Sequence, residues 1–193
     1  MMKRLICAGG IALLATACIS PEDRLTYKDG AMVTRGEIVQ AFSDAVISHC
    51  LIAMHTGKEF KEFEVKGVTP IRALAENKIS LFGTESPQVW QMVEAMVQVQ
   101  YTPGESCEVR AVSAPVEPTL NVVGRSVLQS DYRYSEEDTG FPQDSVSMKR
   151  VLVAGAGGEA YTVYLSGTEP GVEGNPETYA KLKARVVKGA QAS

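Results

Sequence analysis

His49, Cys50 and His55 are the one stretch where a nucleophile and two bases lie close together in the chain. A cysteine nucleophile needs an imidazole within hydrogen-bond reach. On a helix of about 3.6 residues per turn, positions 49 and 50 diverge by about 100° and positions 49 and 55 by about 120°. Neither imidazole is then presented to the Cys50 sulfur, and the spacing of the histidines misses the helical step of three or four that metal ligands use. Ser126, Ser130, Asp131 and the run Glu136-Glu137-Asp138 offer hydroxyls and carboxylates. No G-x-S-x-G elbow accompanies the serines, and the acidic run lacks the alternating oxygens of a calcium loop. These residues read as a solvated loop.

Val151 to Gly155 followed by Ala156-Gly157-Gly158 resembles the start of a dinucleotide-binding turn. That chemistry needs a helix after the glycines, whose N-terminus receives the pyrophosphate. Tyr161-Thr162-Val163-Tyr164-Leu165 follows instead, β-branched and aromatic, so the glycines read as a hairpin turn. Trp90, Met92 and Met96 could line an apolar pocket, although core packing is their common fate. The remaining polar candidates are Asp131, Tyr132, Tyr134 and Asp144 in one loop.

The N-terminus carries a different kind of chemistry. Lys3 and Arg4 precede Leu5 to Ala17, an uncharged run too short to span a bilayer core of about 30 Å. Leu14-Ala15-Thr16-Ala17-Cys18 resembles the lipobox of bacterial lipoproteins, which implies diacylation of Cys18 after cleavage. Ala15 departs from the leucine usual at that place. Ala15-Thr16-Ala17 also fits ordinary signal-peptidase cleavage, which would give a soluble periplasmic or secreted chain. Ile19 after Cys18, where an Asp would direct retention, resembles the pattern of lipoproteins sent to the outer membrane. Residues 1–17 are therefore expected to be a signal peptide, 18–33 a lipidated N-terminus and tether, and 34–193 a single domain.

Loss of Lys3 and Arg4 takes the 19 basic residues to 17 against 23 acidic ones, a net charge of −6. An acidic chain without basic clusters argues against nucleic acid as a partner and against a polybasic membrane surface. No later segment reads as membrane-spanning, so membrane attachment is expected through the lipid alone. The domain keeps two cysteines, Cys50 and Cys107. In an oxidising compartment they are most simply a disulfide. Closing a loop of about 56 residues would stabilise by roughly 4 kcal/mol.

The elements that must position these residues are read from caps and periodicity. Thr34-Arg35-Gly36-Glu37 has capping-box spacing, Val33 and Ile38 stand at staple positions, and Val39, Phe42, Val46, Cys50 and Ala53 form one apolar stripe. A helix over 35–56, stopped at Gly57, follows. Pro70 opens a short helix through Asn77. The alternation of Val93, Ala95, Val97, Val99 and Tyr101 predicts a strand, turned at Thr102–Ser106 into a second that carries Cys107, Val109 and Ala111. This hairpin aims Cys107 at the helix bearing Cys50. A helix over 118–131, a hairpin of 148–154 with 160–166, and an edge strand over 180–187 complete the order; lysines on such an edge would discourage aggregation. A shift of 54 residues lays Val97, Val99 and Val109 on Val151, Val153 and Val163, suggesting two helix–strand–strand repeats.

The expected fold is α+β, with helices packed on an antiparallel sheet. The expected function is that of an exported cell-envelope lipoprotein, on the periplasmic face of the outer membrane, acting as a non-catalytic binding module for an envelope protein or an apolar ligand. No cofactor or metal is implied. The alternatives are a small exported hydrolase or isomerase with a site built from loops, and a soluble periplasmic binding protein.

Overall fold

The computed structural model describes residues 24–26, 32–63, 70–76, 78–83, 88–137, 148–156, 159–172, 175, 177 and 179–190. Cys18, Asp138 and Asp144 lie outside them.

Strands β1 (Arg24–Thr26) and β2 (Met32–Thr34) pair antiparallel, so the segment read as a tether contains a ladder of its own. Helix α1 (Arg35–Thr56) begins at Thr34 with the full capping box and ends at Gly57, whose φ of 71° is the left-handed stop that glycine adopts at least cost. Its middle, Ala45–Leu51, widens to π bonding. The His49 Nδ1–H donates to the Asp44 carbonyl oxygen at 2.8 Å, five residues back. The helix has 22 residues, 18 consecutive ones of which have a mean hydropathy of 1.3, enough to cross a membrane by length and composition, contrary to the expectation that no later segment reaches that measure. Of its apolar stripe, Phe42, Val46, Cys50 and Ala53 are buried with Ile38 in the core shared with the sheet, and Val39 is half-buried against it.

A single turn of 3-10 helix (Phe60–Phe63) follows. Strands β3 (Arg72–Ala73), β4 (Val89–Met92), β5 (Val97–Thr102) and β6 (Ser106–Val112) precede helix α2 (Val116–Leu128), and β7 (Ser135–Glu137), β8 (Met148–Ala156), β9 (Glu159–Thr168) and β10 (Lys181–Ala190) close the chain. The eight strands from β3 to β10 form one antiparallel sheet in the order β3-β4-β5-β6-β10-β9-β8-β7. Both helices pack on one face, α1 over β5, β6 and β10 and α2 over β8 and β9. The fold is α+β with an antiparallel sheet.

Three local expectations change. Residues 70–77 hold no helix where described: Arg72 and Ala73 pair with Gln91 and Trp90, because the open edge of β4 recruits them. The strand expected from Val93 starts at Val97. Val93, Glu94 and Ala95 take φ of 47°, 51° and 67°, making a tight turn between β4 and β5. Left-handed backbone costs roughly 1–2 kcal/mol per residue. The Met96 N–H to Val93 carbonyl bond at 2.9 Å and the Glu94–Lys78 ion pair at 3.4 Å offset part of that. Helix α2 starts two residues early and ends at Leu128, which leaves Asp131 in the following turn.

The last strand is the largest change. β10 is central, with β6 on one side and β9 on the other. The two hairpins flank it, and each is preceded by a helix; the shift of 54 keeps Val109 and Val163 both in the core on the second strands but is out of register on the first. Val97 and Val99 lie on the helix-covered face with Ala111 and Val109. Val151 and Val153 pair with Tyr164 and Thr162 on the opposite face. A one-residue slip turns every side chain of a strand over.

Candidate functional site

The face of the sheet away from the helices carries the candidate site. Side chains of directly paired residues share a face, so the ladders define rows across it. Arg110, Lys183 and Ser166 make one row; Glu108, Arg185 and Tyr164 make the next; Val112, Lys181 and Thr168 make a third. Period-two alternation sends the chain neighbours of these residues, such as Val109, Ala184 and Leu165, into the core. The result is a groove of about 740 Å³ whose floor is β6, β10 and β9.

Its wall is the segment 79–82, held down from the floor. Gln98 is buried (1 % exposed). Its Nε2 donates to the carbonyl oxygen of Ile79 at 2.7 Å, and its Oε1 accepts from the Leu81 N–H at 2.7 Å. Arg110 Nη1 donates to the Leu81 carbonyl oxygen at 2.7 Å, and the guanidinium lies 4.5 Å from the centre of the Phe82 ring. Ile79 is left 85 % exposed on this wall and Tyr164 38 % exposed on the far side.

Charge in the groove is organised by Glu108. Its carboxylate takes Arg110 at 2.7 Å, Lys183 at 3.2 Å and Arg185 at 3.9 Å. Three cations thus surround one acid, and Lys181, further along β10, pairs with Glu177 at 4.0 Å. The basic cluster missing from the linear sequence is assembled by strand pairing. Lysines read as edge protection line the middle of the sheet instead, because β10 is not an edge.

The residues singled out by sequence are placed as follows. Cys50 and Cys107 form a disulfide with Cα atoms 5.5 Å apart, joining α1 to β6. His49 is buried beside Phe60 and Phe63, its Nε2 without a hydrogen-bond partner; burial lowers its pKa from the ordinary 6.5. Ser126 and Ser130 spend their hydroxyls on the carbonyl oxygens of Val122 and Val127. Glu136 makes a two-pronged pair with Arg150 at 2.8 Å on each arm, and this bonding lowers its pKa. Among the described residues no three His, Cys, Asp or Glu side chains gather as a metal set. Trp90, Met92 and Met96 are buried in the core cluster. Gly155 and Ala156 end β8, and β9 follows the glycines, as a hairpin requires.

Tyr132 and Tyr134 do meet a base. His55 stacks on Tyr132 at 3.9 Å between ring centres, lies 4.0 Å from Tyr161, and its Nε2 bonds the Tyr134 hydroxyl at 3.0 Å. The Tyr161 hydroxyl donates to Glu159 at 2.7 Å, and Glu159 also takes Lys188. Burial, together with the Glu159 bond and charge, pushes the Tyr161 phenol up to about 12, and burial raises Tyr132 and Tyr134 as well. Burial outweighs the Glu159 charge and lowers His55. The rings cover one another's faces and pin the end of α1 to β9 and to the loop after α2. Asp131 is exposed beside this cluster.

No protein-family model, curated protein or solved structure matches the chain. Sequence reasoning missed Gln98, Arg110, Ile79 and Tyr164. The one signal available was Lys181-x-Lys183-x-Arg185, three cations on one face of a strand.

Proposed function

We propose that this chain is an exported cell-envelope lipoprotein, anchored through Cys18 to the periplasmic face of the outer membrane, whose domain is a non-catalytic binding module acting through the β6–β10–β9 groove. The groove carries the reading. Its volume lies in the range of small-ligand sites, about 300–1,000 Å³. The groups converging in it are cations and hydroxyls, and Glu108 is already bonded to three of the cations. Such a set holds and orients a ligand, because the Glu108 carboxylate is already engaged in ion pairs with Arg110, Lys183 and Arg185. The Cys50–Cys107 disulfide supports export, because structural bridges persist in oxidising compartments.

Metabolic labelling with a palmitate analogue tests the anchor. Label on the wild-type chain and none on Cys18→Ala is expected; unlabelled wild type contradicts the anchor and leaves the soluble exported form. For the module, thermal-shift screening against small anions, amphiphiles and peptides is run on wild type and on Ser166→Trp, which fills the groove. A ligand that stabilises only the wild type and is recovered unaltered is expected. Chemical conversion of the ligand, or equal stabilisation of both chains, overturns the reading.

A further inference from the structure

We infer that the groove takes a small amphiphilic anion, with its carboxylate or phosphate head over Lys183 and Arg185 and its apolar body between Ile79 and Tyr164. This inference rests on the binding-module reading and adds the ligand class. Register supplies the geometry. Arg110, Lys183 and Ser166 are consecutive partners across β6, β10 and β9, and Glu108, Arg185 and Tyr164 are the adjacent row. Strands lie about 4.8 Å apart, so the wall over β6 and the Tyr164 ring on β9 stand on either side of a cationic strip roughly 10 Å across.

Charge decides the head. Glu108 spreads one negative charge over Arg110, Lys183 and Arg185, and Lys183 and Arg185 keep 43 % and 50 % of their side chains exposed. A neutral apolar ligand would strip water from these cations and return nothing. An anion replaces that water with charge-assisted bonds. The flanks decide the body. Ile79 and Tyr164 are among the few large apolar side chains exposed in the described structure, and they border the same groove. Free phosphate would leave both uncovered. An extended peptide is disfavoured for another reason: the backbone groups of β6, β10 and β9 are committed to ladders on both sides of β10, so the floor offers no strand edge to extend.

Isothermal titration of the full-length chain carrying Cys18→Ala, with decanoate and with decyl phosphate, is the test. Decanol and decyltrimethylammonium serve as neutral and cationic controls, all below their aggregation concentrations. Binding of one or both anions is expected, and the preferred head separates a carboxylate from a phosphate source. Affinity should fall at least about tenfold in Lys183→Ala/Arg185→Ala, the loss of a charge-assisted bond, and fall again as salt rises. Lys61→Ala, remote in sequence and exposed, should bind as wild type, and circular dichroism melting confirms that each variant is folded. Decanol binding as tightly as decanoate, lost in Ser166→Trp, overturns the anion claim and leaves the binding module standing. Absence of binding by both anions at millimolar concentration, or undiminished binding by the folded double variant, overturns the inference outright.

Discussion

Arg110 donates to the Leu81 carbonyl oxygen at 2.7 Å, so the wall of the groove hangs from a residue of its floor. Gln98 makes the same tie from β5, accepting from the Leu81 N–H and donating to the Ile79 carbonyl oxygen. Two side chains of adjacent strands thus convert an irregular segment into a fixed surface. Without them the sheet face would be open.

Gln98→Leu keeps the size of the side chain and removes both ties. Orphaning the Leu81 N–H and the Ile79 carbonyl costs about 1–3 kcal/mol. Urea denaturation should show that loss, and hydrogen exchange should show faster exchange at Leu81 with little change in the β6–β10 ladder. Unchanged protection at Leu81 would mean that the wall is held by something else.

Cys50→Ser should cost roughly 4 kcal/mol, less any strain in the native bridge, because the bridge closes a sequence separation of 57 residues. The helix stripe and the strand alternation each aimed one cysteine at the core, and both sulfurs are buried there. Thiol titration of the unfolded oxidised chain with Cys18 removed should find no thiol from this pair. Two free thiols would refute the pairing.

Stability should fall with acidification in two windows. His49 and His55 have folded pKa values below the ordinary 6.5, so the unfolded chain binds their protons first; the stability they carry is present above about pH 6.5 and lost as pH falls below it. Glu136 and Glu159 are also lowered, from 4.5, by bonding to Arg150 and to Lys188, and their contribution is lost at still lower pH. His49→Gln keeps a donor for the Asp44 carbonyl and removes one titration. Its denaturation midpoint should vary less between pH 7 and pH 5.5 than that of wild type; an identical slope would contradict a neutral buried His49.

Much of the fold was legible in the sequence because its signals are local. The Thr34–Glu37 capping box, the Gly57 stop and the period-two runs of β6 and β9 each depend on residues within one element. Strand order does not. Nothing within Lys181–Ala190 distinguishes an edge from the centre of a sheet, and its alternation is the same in both. The groove was hidden for that reason: its rows exist only once β10 lies between β6 and β9. Val93–Ala95 misled in the opposite way, by continuing the alternation of β5 into a left-handed turn. Tyr132 and Tyr134 were found as polar groups of a loop, whereas their meeting with His55 needed the tertiary fold.

Gly167→Ala should destabilise by about 1–3 kcal/mol, the range for overpacking. A Cβ there would run into Val116 Cγ1 and crowd Leu182, at the point where α2 begins on the sheet. Gly189→Ala, where a Cβ meets nothing within 4 Å, is the control and should be close to neutral. Equal melting temperatures for the two variants would show that α2 does not rest on Gly167.

Amide NMR spectra of the full-length chain with Cys18→Ala, titrated with decanoate, test the central claim most directly. The groove account predicts shifts centred on Leu81, Tyr164, Ser166, Lys183 and Arg185, saturating together with one affinity. Shifts centred instead on His55, Tyr134 and Tyr161, or none at millimolar decanoate, would contradict it.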